Sequence, residues 1–226
     1  MYDDRNIAAL LDEHAVRRAR HPAIVEGDKT LTYADLAPLV RRTARHLGQG
    51  ICKGDIVGVC LKDSPDHLVV MFALARLGAV ILPLDWRWSG PEKQRIASFF
   101  HAKRVIVEPG DEIAGCEWEA VDDGWHGAVS RQDPDCPSAL GGDQPLVPSL
   151  SSGTTGRPKG PMLSYRQFIA RLMIQWVTLG FSQHDRYLSA TPLYFGGGRS
   201  FSLGSLFSGG TVIMFRSEFL TAFSTA

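Results

Sequence analysis

The sequence has too little of several features to belong to some common classes of protein. It contains 4 cysteines in 226 residues, none at metal-ligand spacing, which excludes a disulfide-stabilised secreted scaffold. It has no excess charge of either sign, because 24 basic residues balance 24 acidic ones. This removes the usual reason to expect nucleic acid or an anionic membrane as a partner.

Long uninterrupted hydrophobic runs are also missing. No apolar run follows the acidic start, Met1 to Asp4, so we expect no signal peptide. The most apolar stretch, 68–84, contains Arg76 and Pro83, and we interpret it as a buried helix followed by a buried strand rather than a membrane span. With so few cysteines, a cytoplasmic location is the default expectation.

The sequence is rich in alternating helix and strand patterns. Helices are predicted over 6–20, 32–47, 65–77, 89–100, 164–179 and 201–207. Strands are predicted over 23–25, 30–32, 55–61, 79–82, 104–107, 145–150, 186–190 and 211–215. Apolar strands that alternate with helices are typical of parallel sheets. We therefore expect an α/β fold of layered parallel sheets flanked by helices.

The periodicity fades between residues 108 and 143, where loop-forming residues accumulate. We place a boundary near residue 140, with a first lobe at about 1–140 and the start of a second at about 141–226. None of the seven histidines lies beside a motif that would make it the base of a nucleophile, and His14, His46, His67 and His101 fall on predicted helices.

The most informative segment is a loop rich in glycine and hydroxyl residues at 151–160. Its glycines free the backbone to point N–H groups inward, its hydroxyls are short donors, and Lys159 is a mobile positive charge. Together these features suit a polyphosphate, although an ordinary Gly/Ser/Thr turn is the alternative. The loop differs from the P-loop of kinases and GTPases, because Pro158 stands at the second glycine and Gly160 replaces the magnesium-binding hydroxyl.

The segment Ser-Ser-Gly-Thr-Thr-Gly-Arg-Pro-Lys at 151–159 resembles the phosphate-loop signature of the adenylate-forming (AMP-binding) ligases. That superfamily includes acyl-CoA synthetases, amino-acid adenylation domains and luciferases. Chance would produce such a match about 3 × 10⁻⁵ times in a chain of this length. Further segments are similar to family elements and occur in the family order, at 31–36, 54–57, 74–85, 162–166 and 192–195. The last, Pro-Leu-Tyr-Phe, favours the acyl-CoA synthetase branch.

The resemblance implies a two-step reaction. A carboxylate attacks the α-phosphate of ATP and releases pyrophosphate, and the acyl-adenylate then passes to the thiol of coenzyme A. Expected partners are a small carboxylic acid, ATP, Mg²⁺ and coenzyme A, in fatty acid metabolism, with no nucleic acid and no membrane span. The residues implied to hold the phosphates are Ser151, Ser152, Gly153, Thr154, Thr155, Gly156 and Lys159. Arg157 occupies a variable family position and is expected to be a solvated bystander.

The resemblance also implies that the segment beginning with Tyr194, Phe195 and Gly196 lines the acid pocket. Acyl-CoA synthetases often carry His where Phe195 stands, so an apolar acid is expected; ordinary core packing of Phe195 is the alternative. Gly196 to Gly198 would let the acyl chain pass close to the backbone, or form a flexible loop. Pro161, where an aliphatic residue is usual, is expected to shorten the strand after the phosphate loop.

Family elements that normally follow have no counterpart here. These are an aromatic-Gly-x-Thr-Glu element, a ribose-binding Asp and the C-terminal lid domain with its catalytic Lys. We therefore expect a partial N-terminal AMP-binding domain that contains no catalytic residue and is inactive alone. Alternatives are a non-catalytic remnant or frameshifted fragment, an amino-acid adenylation domain of a peptide synthetase, and a generic phosphate-binding Rossmann-like domain, for which no early Gly-x-Gly-x-x-Gly is present.

Overall fold

A computed structural model describes residues 5–139, 141–149 and 160–215. Within these ranges the helices are α1 Ala9–Arg17, α2 Tyr33–Leu47, α3 Pro65–Leu77, α4 Gly90–Phe99, α5 Asp123–Ser130, α6 Tyr165–Leu179 and α7 Gly196–Phe207. The strands are β1 Pro22–Glu26, β2 Lys29–Thr32, β3 Ile56–Cys60, β4 Val80–Pro83, β5 Arg104–Val107, β6 Trp118–Ala120, β7 Pro145–Pro148, β8 Met162–Ser164, β9 Arg186–Ser189 and β10 Thr211–Met214.

The strands form two four-stranded sheets and one two-stranded ribbon. The first sheet has the order β4-β3-β5-β6 and is entirely parallel. The second sheet has the order β2-β1-β10-β9, in which only the β1–β2 hairpin is antiparallel. The ribbon pairs β7 with β8 in antiparallel fashion. The predicted α/β class with parallel sheets and flanking helices is therefore correct.

Local signals begin and end α2 and α3 where the sequence predicts, whereas α7 begins at Gly196 and not at the predicted residue 201. At the start of α2 a capping box forms: the Thr32 hydroxyl accepts from the backbone N–H of Asp35 at 3.3 Å, and the Asp35 carboxylate accepts from the Thr32 N–H at 2.9 Å. Helix α3 begins with Pro65 after the Ser64 cap and ends at Gly78, whose φ of 76° is left-handed. Because these signals involve residues only three or four positions apart, they can be predicted from the sequence.

The apolar stretch at 68–84 is a buried helix and a buried strand, as predicted. Helix α3 packs against α2 on one side and supports β3 and β4 on the other. Almost every side chain of α3 beyond its first turn is buried, which explains why its sequence is apolar on all faces. No helix in the described ranges is long and apolar enough to cross a membrane. All four cysteines are free thiols.

The fading periodicity at 108–143 conceals two short elements that the sequence did not predict. Strand β6 has only 3 residues and α5 only 8, too few for a hydrophobic period to stand out. Helix α5 nevertheless has a cap, since the Asp122 carboxylate accepts from the Trp125 N–H at 2.7 Å. His101 is also misplaced by the prediction, because it lies beyond the end of α4 with a φ of 52°.

The second sheet joins strands from both sides of the boundary predicted near residue 140. Strand β1 pairs with β10 in register Ile24 with Val212, although 188 positions separate these residues. The carbonyl of Ala75, near the end of α3, accepts from the Asn6 amide and from the Tyr165 hydroxyl, at 2.6 and 2.7 Å. The division into two lobes therefore stays a prediction.

Candidate active site

The β7–β8 ribbon holds together the two ends of the predicted phosphate loop. The backbone N–H of Ser149 donates to the carbonyl of Pro161 at 2.9 Å, so the chain leaves and returns at one point. Pro161 takes part as an acceptor only, which its missing N–H permits, and β8 begins at Met162 with 3 residues. The loop residues themselves lie outside the described ranges: Ser151, Ser152, Gly153, Thr154, Thr155, Gly156, Arg157 and Lys159.

The ribbon is in turn fixed to the rest of the protein. Tyr165, directly after β8, is fully buried, and its hydroxyl donates to Ala75. Its backbone N–H donates to the carbonyl of Gln144 at 3.0 Å. Gly141 packs so closely against the chain that a Cβ would lie 2.4 Å from the carbonyl oxygen of Arg5. The base of the phosphate loop therefore has a defined position on the first part of the chain.

The predicted acid-binding residues lie at the start of α7. Tyr194 is partly buried, Phe195 is the N-cap residue of the helix, and Gly196 is its first residue. The side chain of Phe195 is not part of the core, because the residue is 57% exposed. The core-packing alternative for Phe195 is therefore wrong, and an exposed aromatic ring marks this end of the helix.

The three glycines after Phe195 form the first turn of α7, so the flexible-loop alternative is also wrong. At Gly198 a Cβ would lie 2.2 Å from the carbonyl oxygen of Thr191 and 2.4 Å from that of Pro192, so no side chain fits. The nearest atom to a Cβ on Gly196 is 4.0 Å away. Gly198 thus allows a close approach within the chain, and the ring of Phe195 lies beside Gly197, where a Cβ would be 3.5 Å from two ring carbons.

Three charged residues that the sequence analysis did not select as site residues hold this segment in place. They follow β3 and β4 at the carboxyl edge of the first sheet: Asp63, Asp85 and Arg87. The Asp63 carboxylate accepts from the backbone N–H of Leu193 at 2.7 Å. The Arg87 guanidinium donates to Asp85 through Nε at 3.0 Å and Nη2 at 2.8 Å. It also donates to the Tyr194 hydroxyl and lies 5.4 Å from that ring's centre.

The charges of this cluster depend on one another. Burial raises the pKa of Asp63, and the hydrogen bond from Leu193 only partly offsets it. Burial also opposes ionisation of Asp85, but the hydrogen bonds and charge of Arg87 outweigh it and hold the pKa below its usual value. Burial and the Asp85 carboxylate raise the pKa of Tyr194. Asp85 is thus an anion that Arg87 neutralises, and Tyr194 is a neutral hydroxyl between them.

A buried arginine holds the same segment from the other side. Arg199, in α7, is 4% exposed, and its Nη1 donates to the carbonyls of Leu193 and Tyr194 at 3.3 and 3.0 Å. Burial lowers the pKa of Arg199 to about 10. Burial also lowers the pKa of His67 to about 4, and the charge of Arg199 contributes to this shift. Both side chains keep one buried nitrogen without a partner in the described ranges, Nε of Arg199 and Nε2 of His67.

The described ranges contain no group of three or more His, Cys, Asp or Glu side chains that could hold a metal ion. They therefore offer no site that fits Mg²⁺, and we assign the ion no ligand here. Other histidines join distant parts of the chain away from this segment, such as His46 with Glu119 at 2.8 Å and His126 with Asp66 at 3.1 Å.

Comparison with known proteins decides the family. The model of the family described as "AMP-binding enzyme" matches residues 11–225. The chain belongs to this family. The matched range contains all the segments that resemble the adenylate-forming ligases, and that resemblance is therefore confirmed.

Individual relatives agree with this assignment. Indoleacetate–CoA ligase of Aromatoleum aromaticum is 30% identical over 235 residues, which cover 94% of this chain and 45% of the relative. A plipastatin synthase polypeptide of Bacillus subtilis is 28% identical over 230 residues, covering 95% of this chain and 8% of that one. The inhibitor-bound N-terminal domain of FACL13 from Mycobacterium tuberculosis superposes with a TM-score of 0.84 and 28% identity, over 93% of this chain and 57% of that domain. The chain thus spans less than half the length of these curated relatives.

Proposed function

We propose that this AMP-binding chain takes part in ATP-dependent activation of a carboxylic acid through an acyl-adenylate, with transfer to coenzyme A. One carboxylate oxygen attacks the α-phosphorus of ATP. The bond to the β-phosphate oxygen breaks, and its electron pair leaves on pyrophosphate. A thiol then attacks the acyl carbon and releases AMP. The observation that carries this proposal is the nine-residue loop at 151–159, inside a family match that spans 11–225.

The loop residues would bind the β- and γ-phosphates and stabilise the departing pyrophosphate. Backbone N–H groups of Gly153, Thr154 and Gly156, hydroxyl groups and the Lys159 ammonium are the donors we assign to this role. The anchored ribbon supports the assignment, because donors aimed at a developing charge are effective only if they are positioned in advance. ATP would enter with Mg²⁺ as its counter-ion.

We assign the acid pocket to Tyr194, Phe195 and Gly196, and an apolar acid to that pocket. The exposed ring of Phe195 and the open space at Gly196 support this, since together they offer an aromatic face and room for a chain or ring. Indoleacetate, which the name of one relative gives as its acid, is an aromatic acid of this kind.

An amino-acid adenylation domain is the second candidate, and the match within the plipastatin synthase polypeptide favours keeping it. The two candidates differ in the acid: the first would accept indoleacetate or a fatty acid, and the second a free α-amino acid. A non-catalytic remnant is the third candidate, and it would activate neither.

The test is acid-dependent exchange of labelled pyrophosphate into ATP, with indoleacetate, fatty acids and amino acids supplied separately. It uses the longest natural polypeptide that carries this sequence. Lys159→Ala should lower the exchange rate by about 100-fold, because it removes a charge at the leaving group. Arg157→Ala is the matched control from the same loop and should change the rate by less than about twofold. No exchange with any acid, or equal losses in both variants, would contradict the proposal.

We also propose that the 226-residue chain alone does not turn over. It spans 45% of the indoleacetate–CoA ligase to which it is similar, so more than half of such an enzyme would be missing. Exchange by the isolated chain at the rate of the longer polypeptide would contradict this.

A further inference from the structure

We infer that Asp63 and Arg87 are positioning residues for the acid pocket: they hold the segment 193–195 in the geometry that the acid needs. The inference rests on the proposed function for its kinetic consequence and on the contacts of the described residues for its structural one. We call Asp63, Asp85 and Arg87 the carboxyl-edge clamp.

The clamp joins parts of the chain that are far apart in the sequence. Asp63 and Leu193 are 130 positions apart, and Arg87 and Tyr194 are 107 apart. Neither contact belongs to a helix or a strand ladder. Together they fix one backbone N–H and one side-chain hydroxyl of the segment that leads into α7.

Other residues hold the polar groups of this segment that the clamp does not contact. The carbonyls of Leu193 and Tyr194 are held by Arg199, and the N–H of Phe195 donates to Pro192 at 3.0 Å. With these groups satisfied, the ring of Phe195 projects from a backbone that is fixed on both sides. The ring of Phe195 therefore projects from a segment that the clamp and Arg199 hold together.

The exposure and the planar geometry of the Arg87 side chain also fit a positioning role. Its side chain is 55% exposed, whereas that of Asp85 is 8% exposed. A half-exposed arginine adds little to stability through its ion pair alone. Its planar fork binds both oxygens of Asp85 and still reaches the Tyr194 hydroxyl, which a lysine could not do in one geometry. Its position thus fits a role in orienting Tyr194 better than a role in folding.

Amide hydrogen exchange on the 226-residue chain tests whether the clamp holds the segment 193–195. Asp63→Ala should speed exchange of the Leu193 amide about tenfold, because that N–H loses its acceptor. Arg87→Ala and Tyr194→Phe should both speed exchange of the Phe195 amide by about threefold or more. Lys103→Ala is the matched control, since Lys103 pairs with Asp55 at the opposite edge of the same sheet at 2.7 Å. It should leave both amides unchanged.

Kinetics of the longer natural polypeptide test whether the clamp positions the acid pocket for the reaction. Arg87→Ala should lower kcat/KM for the acid about tenfold and leave KM for ATP within about twofold, and Arg87→Lys should recover only part of the loss. Unchanged exchange at both amides would overturn the clamp whatever the activity. Equal effects on acid and ATP would overturn the positioning role. An unsubstituted protein without acid-dependent activity would overturn the proposed function, and the amide exchange would still decide the clamp.

Discussion

Both edges of the first sheet carry ion pairs, but the ion pairs at the two edges contact different parts of the chain. At the amino edge, Lys103 pairs with Asp55 at 2.7 Å and Arg104 with Glu119 at 2.7 Å. These partners lie in or beside neighbouring strands. At the carboxyl edge, Asp85 is 5% exposed and, through Arg87, contacts a segment more than 100 positions further along the chain. Contact with the segment before α7, rather than burial or the number of ion pairs, distinguishes the carboxyl edge, since Arg104 and Glu119 at the amino edge are also largely buried, at 21% and 19% exposed.

This difference follows from the geometry of parallel sheets. All four strands of the first sheet end at the same edge, so the loops after β3 and β4 meet there. The start of α7 packs onto these loops through Leu193, which is fully buried. The amino edge also meets a distant element, because Glu119 contacts His46 of α2 at 2.8 Å from 73 positions away, but none of the residues assigned to the acid pocket lies there.

The largest expected loss of stability comes from a substitution at Gly198, near the carboxyl edge. A Cβ there would lie 2.2 Å from the Thr191 oxygen, so Gly198→Ala should lower the free energy of unfolding by about 3 kcal/mol. Gly196→Ala, two positions earlier in the same helical turn, has open space and should change stability by less than about 1 kcal/mol. Denaturant unfolding measures both. Equal stabilities of the two variants would contradict the close approach at Gly198.

The next effect concerns pH. The folded pKa of His67, about 4, lies below the usual value of 6.5, so the unfolded chain binds the proton more tightly. The contribution of His67 is therefore fully present above pH 6.5 and is lost as the pH falls toward 4. The loss is on the order of 2 to 3 kcal/mol. His67→Asn should be less stable at pH 7 but should lose less stability on acidification.

Thermal unfolding between pH 7 and 4 measures the effect at His67. His126→Asn is its control, because that side chain is exposed and should keep the full acid dependence. The same acid dependence in His67→Asn as in the unsubstituted chain would show that His67 is not buried as described.

A smaller effect compares the two edges directly. Asp85→Asn should lower the free energy of unfolding by about 2 kcal/mol, because the buried side chain at position 85 loses the charge-assisted hydrogen bonds that its carboxylate accepts from the guanidinium and the backbone N–H of Arg87. Asp55→Asn, at the amino edge, should cost less than about 1 kcal/mol, since its pair with Lys103 is exposed to water. The two variants can be compared by urea unfolding at low and high salt. A greater cost at Asp55 would reverse the comparison.

The smallest effect is expected at Lys103, whose side chain is exposed at the amino edge. Lys103→Ala should shift the unfolding temperature by no more than the error of measurement, and any shift should vanish in high salt. Differential scanning calorimetry at two salt concentrations checks this. A clear loss that persists in salt would mean that the amino edge is more than a solvated pair.

Local features of the fold were predictable because their signals are local. The capping pairs Thr32 with Asp35 and Ser164 with Gln167 both form, and Pro65 begins α3 as expected. The phosphate loop was recognisable because so many of its residue types are fixed at once. Asp85 stood in a segment that resembles the family, but nothing nearby indicated its partner.

Long-range features were not predictable, because they depend on packing that one sequence does not show. The contact of Asp63 with Leu193 joins two loops that the sequence places far apart. The sequence left core packing of Phe195 open as an alternative, which the exposed ring at the start of α7 rules out, and it did not indicate that Arg199 is buried. A signal was available only in retrospect: an acidic residue directly after a buried parallel strand points to the edge where sites form.

The most direct measurement of the central claim follows one oxygen atom. The longest natural polypeptide carrying this sequence is supplied with ATP, Mg²⁺ and an acid whose carboxylate is labelled with ¹⁸O, and the nucleotide product is analysed by mass spectrometry. Activation through an acyl-adenylate predicts AMP that carries one ¹⁸O atom, formed only when the acid and the thiol are present and in lower amount in Lys159→Ala. Unlabelled AMP, or ADP in its place, would contradict the account.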